Sequence, residues 1–223
     1  QIVNTLMPYF ILWGIMFWSV GISYWLTLLI SIPTAGFMVR TFIIFHDCGH
    51  GSFFKSKRAN TAVGIITGIL TFTPWHSWWH EHAIHHATAG NLDKRGTGDV
   101  DTWTVEEYLA APFFKRLWYR IMRHPLVMFT IGAMIVFAVV QRVPLPSHGK
   151  RERASIWWTN LALVVLISGL IALVGWKTYL LVQVPVLLLG TSAGVWMFYV
   201  QHNYEGSYWE RQEKWDFYKA AMN

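Results

Sequence analysis

Histidine is concentrated at two places in this 223-residue chain: His46 and His50 in HDCGH, and His82, His85 and His86 in HAIHH. On a helix, positions i and i+4 are separated by about 40°, so His46 and His50 project one above the other and can share one ion. By the same count His82, His85 and His86 occupy an arc of about 100° on one face. Neutral imidazole is the commonest nitrogen ligand for iron, copper and zinc. Both clusters stand beside strongly apolar sequence, where an unpaired polar side chain is costly and usually functional. A single buried histidine often does no more than satisfy a hydrogen bond; two clusters at ligand-competent spacings predict a metal site at a membrane surface.

Other chemistries fit less well. A zinc protease needs HExxH, and His80 and Glu81 begin one, but Ile84 stands where the second histidine should be. GTGDVD, from Gly96, lacks the lysine of a phosphate-binding loop. A haem clamped by two histidines remains a physical rival, although it leaves the other histidines unexplained. His76 and His80 point away from the face of His82, and His124 and His148 lack ligand-spaced partners; these four are read as polar or surface residues. Asp47 and Glu81 are candidates to orient ligand imidazoles. Cys48, the sole cysteine, rules out an internal disulfide and is read as a packing residue.

The elements that must position these residues belong to a membrane protein. The chain is 54% hydrophobic and 13% charged, with 14 tryptophans, and its long apolar runs lack strand alternation. Helices are therefore expected, since they satisfy their backbone groups in lipid. The net charge of +6 comes from basic residues between apolar runs, which fits membrane topology and anionic headgroups rather than nucleic acid.

Ile2 to Val39 carries no charge and is long enough for two helices, with a turn at Gly21 and Ser23. Lys55, Lys57 and Arg58 mark the face after the first histidine cluster as cytoplasmic. Thr61 to Trp79 reads as one interfacial or re-entrant helix, and Gly90 to Tyr119 as a polar cap with a short helix from Val105 to Leu109. Pro125 to Val140 would reach only about 24 Å of the roughly 30 Å apolar layer. Basic residues flank it on both sides, so it should dip in and return or lie in the interface. Ile156 to Val174 and Tyr179 to Val200 are the last two spans, joined through Gly175 to Thr178. Four spans then bring His202 back to the side of His46 and His82, as a sixth candidate ligand. The expected fold is an all-α polytopic membrane protein: one domain over residues 1–223, with four transmembrane helices, interfacial or re-entrant helices and a cytoplasmic helical cap.

HDCGHGSFF from His46, WHEHAIHHATAG from Trp79, GTGDVDTWTVEEY from Gly96 and FYVQHNYEGSYWER from Phe198 together resemble the integral-membrane fatty acid desaturases, especially bacterial omega-6 or delta-12 acyl desaturases. The resemblance runs over nearly the whole chain. HxxxH with HxxHH also occurs in the wider group of alkane and carotenoid hydroxylases, which keeps a di-iron hydroxylase as an alternative; the surrounding words favour a desaturase.

The resemblance implies a non-haem di-iron site in a bacterial inner membrane, with its histidines on the cytoplasmic side. It implies removal of two hydrogens from an acyl chain with O2 as co-substrate. The substrate would be an acyl lipid, acyl-CoA or acyl-ACP, and the electron donor a ferredoxin or cytochrome b5-like protein. Carried over by position, His46 and His50 match the first histidine box, His82, His85 and His86 the second, and His202 the lone histidine after the last membrane helix. Members carry a further HxxHH box downstream, and none occurs before Asn223. The six histidines are therefore expected to be part of a larger ligand set, in a chain cut at both ends. An inactive relative is the other reading, which the missing initiator methionine disfavours.

Overall fold

A computed structural model describes residues 1–222. Two long antiparallel helix pairs form its frame. The first is α1 (Ile2–Ser19) with α2 (Tyr24–Gly49). The second, late in the chain, joins Lys150–Val174 to Trp176–His202 through Gly175 alone, whose φ of +79° suits a glycine. These four helices are long and apolar enough to cross a membrane, and their lipid-facing sides remain exposed, as at Trp25, Leu29, Val165 and Leu173. No strand occurs among the described residues; Asn91 and Glu210 form an isolated bridge.

Between the frames run α3 (Lys57–Leu70), α4 (Trp75–Thr88), α5 (Val105–Ala110), α6 (Phe113–Arg123), a π-helical stretch Val127–Gly132 and α7 (Ala133–Ala138). The late pair is α8 (Lys150–Val174) and α9 (Trp176–His202), followed by α10 (Phe217–Met222). Central α2 packs against α1, α3 and α9.

Its buried polar residues are satisfied locally. Thr34 Oγ1 donates to the Ile30 carbonyl at 2.7 Å and Thr41 Oγ1 to that of Phe37 at 2.8 Å. Ser19 Oγ and Thr27 Oγ1 meet at 2.7 Å across the α1–α2 turn. Small hydroxyl residues thus let helices approach without leaving bare polar groups in lipid.

Three sequence expectations change. Thr61 to Trp79 is not one helix: it breaks at Thr71–Pro74, where Phe72 has φ of 59° and the Thr73 N–H donates to the Gly68 carbonyl at 2.7 Å. The cause is Pro74, which disfavours helical geometry at the residue before it and caps the next helix. The link between the last spans is Gly175 rather than Gly175 to Thr178, because Trp176–Thr178 already belong to α9. And α8 begins at Lys150, earlier than its apolar run, because its polar first turn is still helical. The segment expected to dip or lie in the interface is bent by 69° from α6.

Candidate metal centre

The first histidine pair rides on the last turn of α2. One side of that turn, Ile44, Phe45 and Cys48, is buried against Trp75 and Trp78 of α4. The next residues along the same turn, His46 and His50, face the second histidine cluster. α4 can come this close because Gly64 of α3 has no side chain: a Cβ there would lie 1.9 Å from the Trp75 ring. The indole of Trp78 then stacks on His82, with ring centroids 4.2 Å apart.

His46, His50, His82 and His86 converge. His82 Nε2 lies 3.1 Å from Nε2 of each of the other three, and the Nε2 atoms of His46 and His50 are 3.2 Å apart. Nitrogens bound at about 2.1 Å to one ion stand roughly 3.0–3.4 Å apart for octahedral and tetrahedral angles. The observed spacing matches. Burial and the neighbouring imidazoles push His82 down to about 2 and His86 down to about 4, and the same causes lower His50. His50, His82 and His86 are thereby held neutral at physiological pH, and the four candidate donor nitrogens all lie within 4.8 Å of one another.

His85 and His202 form a second group. Their Nε2 atoms are 3.3 Å apart, and the Nδ1–H of His85 donates to Asp99 Oδ1 at 2.5 Å. Both partners are buried, the His85 side chain being 2% exposed. Gly98, with φ of +71° and a site where a Cβ would lie only 3.3 Å from His85 Cβ, lets the loop turn tightly enough to deliver Asp99. A carboxylate on Nδ1 leaves Nε2 bare and points it towards a ligand position, as in the carboxylate–histidine–metal arrangement. The pair opens into a cleft of about 330 Å³ whose lining includes His86, Tyr208 and Trp209.

Asp99 was missed from sequence, because a lone aspartate in a glycine-rich loop carries no ligand spacing. His148, expected at the surface, is buried. It accepts from the Leu145 N–H at Nδ1 (3.1 Å) and donates from Nε2 to Glu81 Oε1 (2.8 Å). Glu81 is thereby taken up by His148 and orients no ligand ring. Asp47 does approach His46, Oδ1 to Nδ1, at 3.3 Å. The backbone N–H of His76 donates to Ser155 Oγ at 3.0 Å, while His80 and His124 are exposed.

The donor set fits a redox-active first-row metal: all six donors are imidazoles, three of the four closest are held neutral, and His85 has its tautomer fixed. Residues 7–220 match the family model described as fatty acid desaturase. The chain belongs to the fatty acid desaturase family. It is 47% identical over its whole length to a fatty acid desaturase of Bacillus subtilis, of which it spans 63%. It is 30% identical over 80% of its length to the sn-1 oleoyl-lipid 12-desaturase of Synechocystis, spanning 46% of that protein. A second Synechocystis relative, the sn-1 acyl-lipid omega-3 desaturase (ferredoxin), is 28% identical over 82% of the chain and is spanned to 52%. No solved structure matches. As a desaturase-family chain it therefore covers about half to two thirds of these relatives.

Proposed function

We propose that this chain carries the metal-binding core of a membrane acyl desaturase, with His46, His50, His82, His85, His86 and His202 holding non-haem iron. The observation that carries the reading is that one ring nitrogen from each of four histidines of the two boxes lies within 4.8 Å of the others. His46, His50, His82 and His86 would hold one ion, and His85 with His202 would contribute to a second. When bound, iron supplies the redox chemistry that an unactivated C–H bond requires, with O2 as co-substrate. A bare ion suits this cluster better than haem, since nitrogens about 3 Å apart leave no slot for a macrocycle.

The protein's own groups prepare the site. Burial keeps the His82 and His86 lone pairs free of protons. Trp78 fixes the plane of His82, and Asp99 holds the proton on Nδ1 of His85. The basic residues Lys55, Lys57 and Arg58, on the histidine side of α2, support a cytoplasmic placement. The names of the Synechocystis relatives support an acyl-lipid substrate and a ferredoxin donor.

The test is iron bound per purified chain, compared with His82→Ala. Specific iron without a Soret band, lost in the variant, supports the reading; full retention of iron by His82→Ala overturns it. Where lipid products form, loss of two hydrogens marks desaturation and gain of oxygen marks a hydroxylase.

A further inference from the structure

One helix leaves its apolar half unpartnered among the described residues. α6 reads FFKRLWYRIMR, and its residues sort cleanly by angle. At 100° per residue, Phe113, Phe114, Leu117, Trp118, Ile121 and Met122 fill one half of the helix, about 180°. Lys115, Arg116, Tyr119, Arg120 and Arg123 fill the other. All six apolar side chains are exposed, Phe114 at 80% and Trp118 at 63%. Four cations in so short a helix forbid it from crossing lipid, and the 69° bend separates it from the apolar segment that follows.

Its position says what covers that face. Arg123 Nη2 donates to Tyr199 Oη at 3.3 Å, one turn before His202, so α6 lies at the level where α9 leaves the apolar layer. The exposed apolar surface continues past the bend through Leu126, Ile131 and Ile135. Arg120 and Arg123 are engaged by Tyr108, by the Asp101 carbonyl (2.7 Å) and by Tyr199. Lys115 and Arg116 form no ion pair among the described residues, leaving one free cation at the edge of the apolar face and one on the polar face.

The inner side of α6 meets the loop that carries Asp99. Tyr119 stacks on Trp103 with centroids 4.6 Å apart and accepts the Trp103 N–H at Oη (3.3 Å). Arg123 holds the Asp101 carbonyl, two residues beyond the carboxylate that anchors His85.

We infer that α6 lies in the headgroup layer of an anionic bilayer, its apolar half among the acyl chains and Lys115 and Arg116 on lipid phosphates, and that this seating steadies the Asp99–Trp103 loop against His85. A basic helix with one apolar half has the composition of an interfacial helix, sunk about 5–10 Å. Anionic lipid adds attraction for each cation at the surface. The inference depends on the membrane placement of the chain and not on its reaction.

Nitroxide labels on cysteines introduced as Phe114→Cys and, in a separate chain, as the exposed control Glu106→Cys report the seating; native Cys48 is buried and spared. Each full chain is placed in nanodiscs of phosphatidylcholine, with or without phosphatidylglycerol, and relaxation by oxygen is compared with relaxation by a water-soluble nickel complex. The label at 114 should favour oxygen, more strongly with phosphatidylglycerol, and Lys115→Glu with Arg116→Glu should remove that gain. Amide exchange over residues 99–103 should be slower with the anionic lipid and should lose that difference in the double variant. Nickel access at 114 equal to that at 106 in both bilayers overturns the seating. Dipolar broadening between labels at 114 overturns it in favour of a second copy of the chain. Unchanged exchange over the loop, with the seating intact, overturns the coupling.

Discussion

Asp99 and His202 stand on opposite sides of one imidazole: the carboxylate accepts the Nδ1–H of His85 at 2.5 Å, and His202 Nε2 approaches the other nitrogen at 3.3 Å. The loop therefore decides which nitrogen of His85 is free. Asp99→Asn should keep the ring in place while weakening metal held by His85 and His202 by about 10–100-fold, the usual cost of losing such a carboxylate. Competitive titration with a chromogenic chelator reads this, and unchanged affinity would show that Asp99 only packs.

His82 touches each of the other three nitrogens in its cluster, whereas His80, two residues earlier, is exposed. His82→Ala should abolish the tightest metal equivalent, and His80→Ala should leave it unaltered. Cobalt substitution, followed by its visible d–d absorption, gives a readout independent of turnover; equal spectra for the two variants would contradict the assignment.

The lowered values of His82 and His86 give the metal-free chain a pH dependence of definite sign. Unfolded histidine titrates near 6.5, and these two titrate at about 2 and about 4 in the fold. Between those limits the unfolded chain binds more protons, so stability is full above about 6.5 and falls as pH drops towards 4. His86 stops contributing to the slope below about 4, while His82 continues towards 2. Thermal unfolding in detergent from pH 7 to pH 4 should show a falling midpoint, and His82→Gln should flatten the fall. A midpoint that rises on acidification would refute the sign.

Gly64 and Gly190 offer a matched comparison. A Cβ at Gly64 meets the rigid indole of Trp75 at 1.9 Å, while one at Gly190 meets the thioether of Met38 at 2.9 Å. Gly64→Ala should cost about 1–3 kcal/mol by overpacking. Gly190→Ala should cost less, because the Met38 side chain can swing aside. Denaturation midpoints of the two variants check the order, and it fails if Gly190→Ala is the more damaging.

Charge and apolar run length made the four spans legible, and helical spacing picked out the two boxes. His202 was reached by counting crossings, which the four long apolar helices support. What remained hidden depended on contacts distant in sequence. His148 lies far from Glu81 along the chain, so nothing local shows that the two pair. Asp99 acquires its role only because Gly98 folds the loop back over α4. The break at Phe72 was masked by an apolar run that stays hydrophobic across two helices, with Pro74 the local sign of it.

The clamp between residues 90–95 and 207–215 has a bearing on the order in which the centre is built. Leu92 N–H donates to the Glu210 carbonyl and the Glu210 N–H to that of Gly90, each at 2.9 Å, while Arg211 pairs with Asp93 at 2.7 Å. All four members of the convergent cluster have been synthesised once α4 is complete. His85 gains its opposing histidine only after α9, and the clamp between residues 90–95 and 207–215 only once the ribosome has passed Arg211. The residues of the convergent cluster are thus all in the chain more than a hundred residues of translation before His202, the residue that completes the His85 pair.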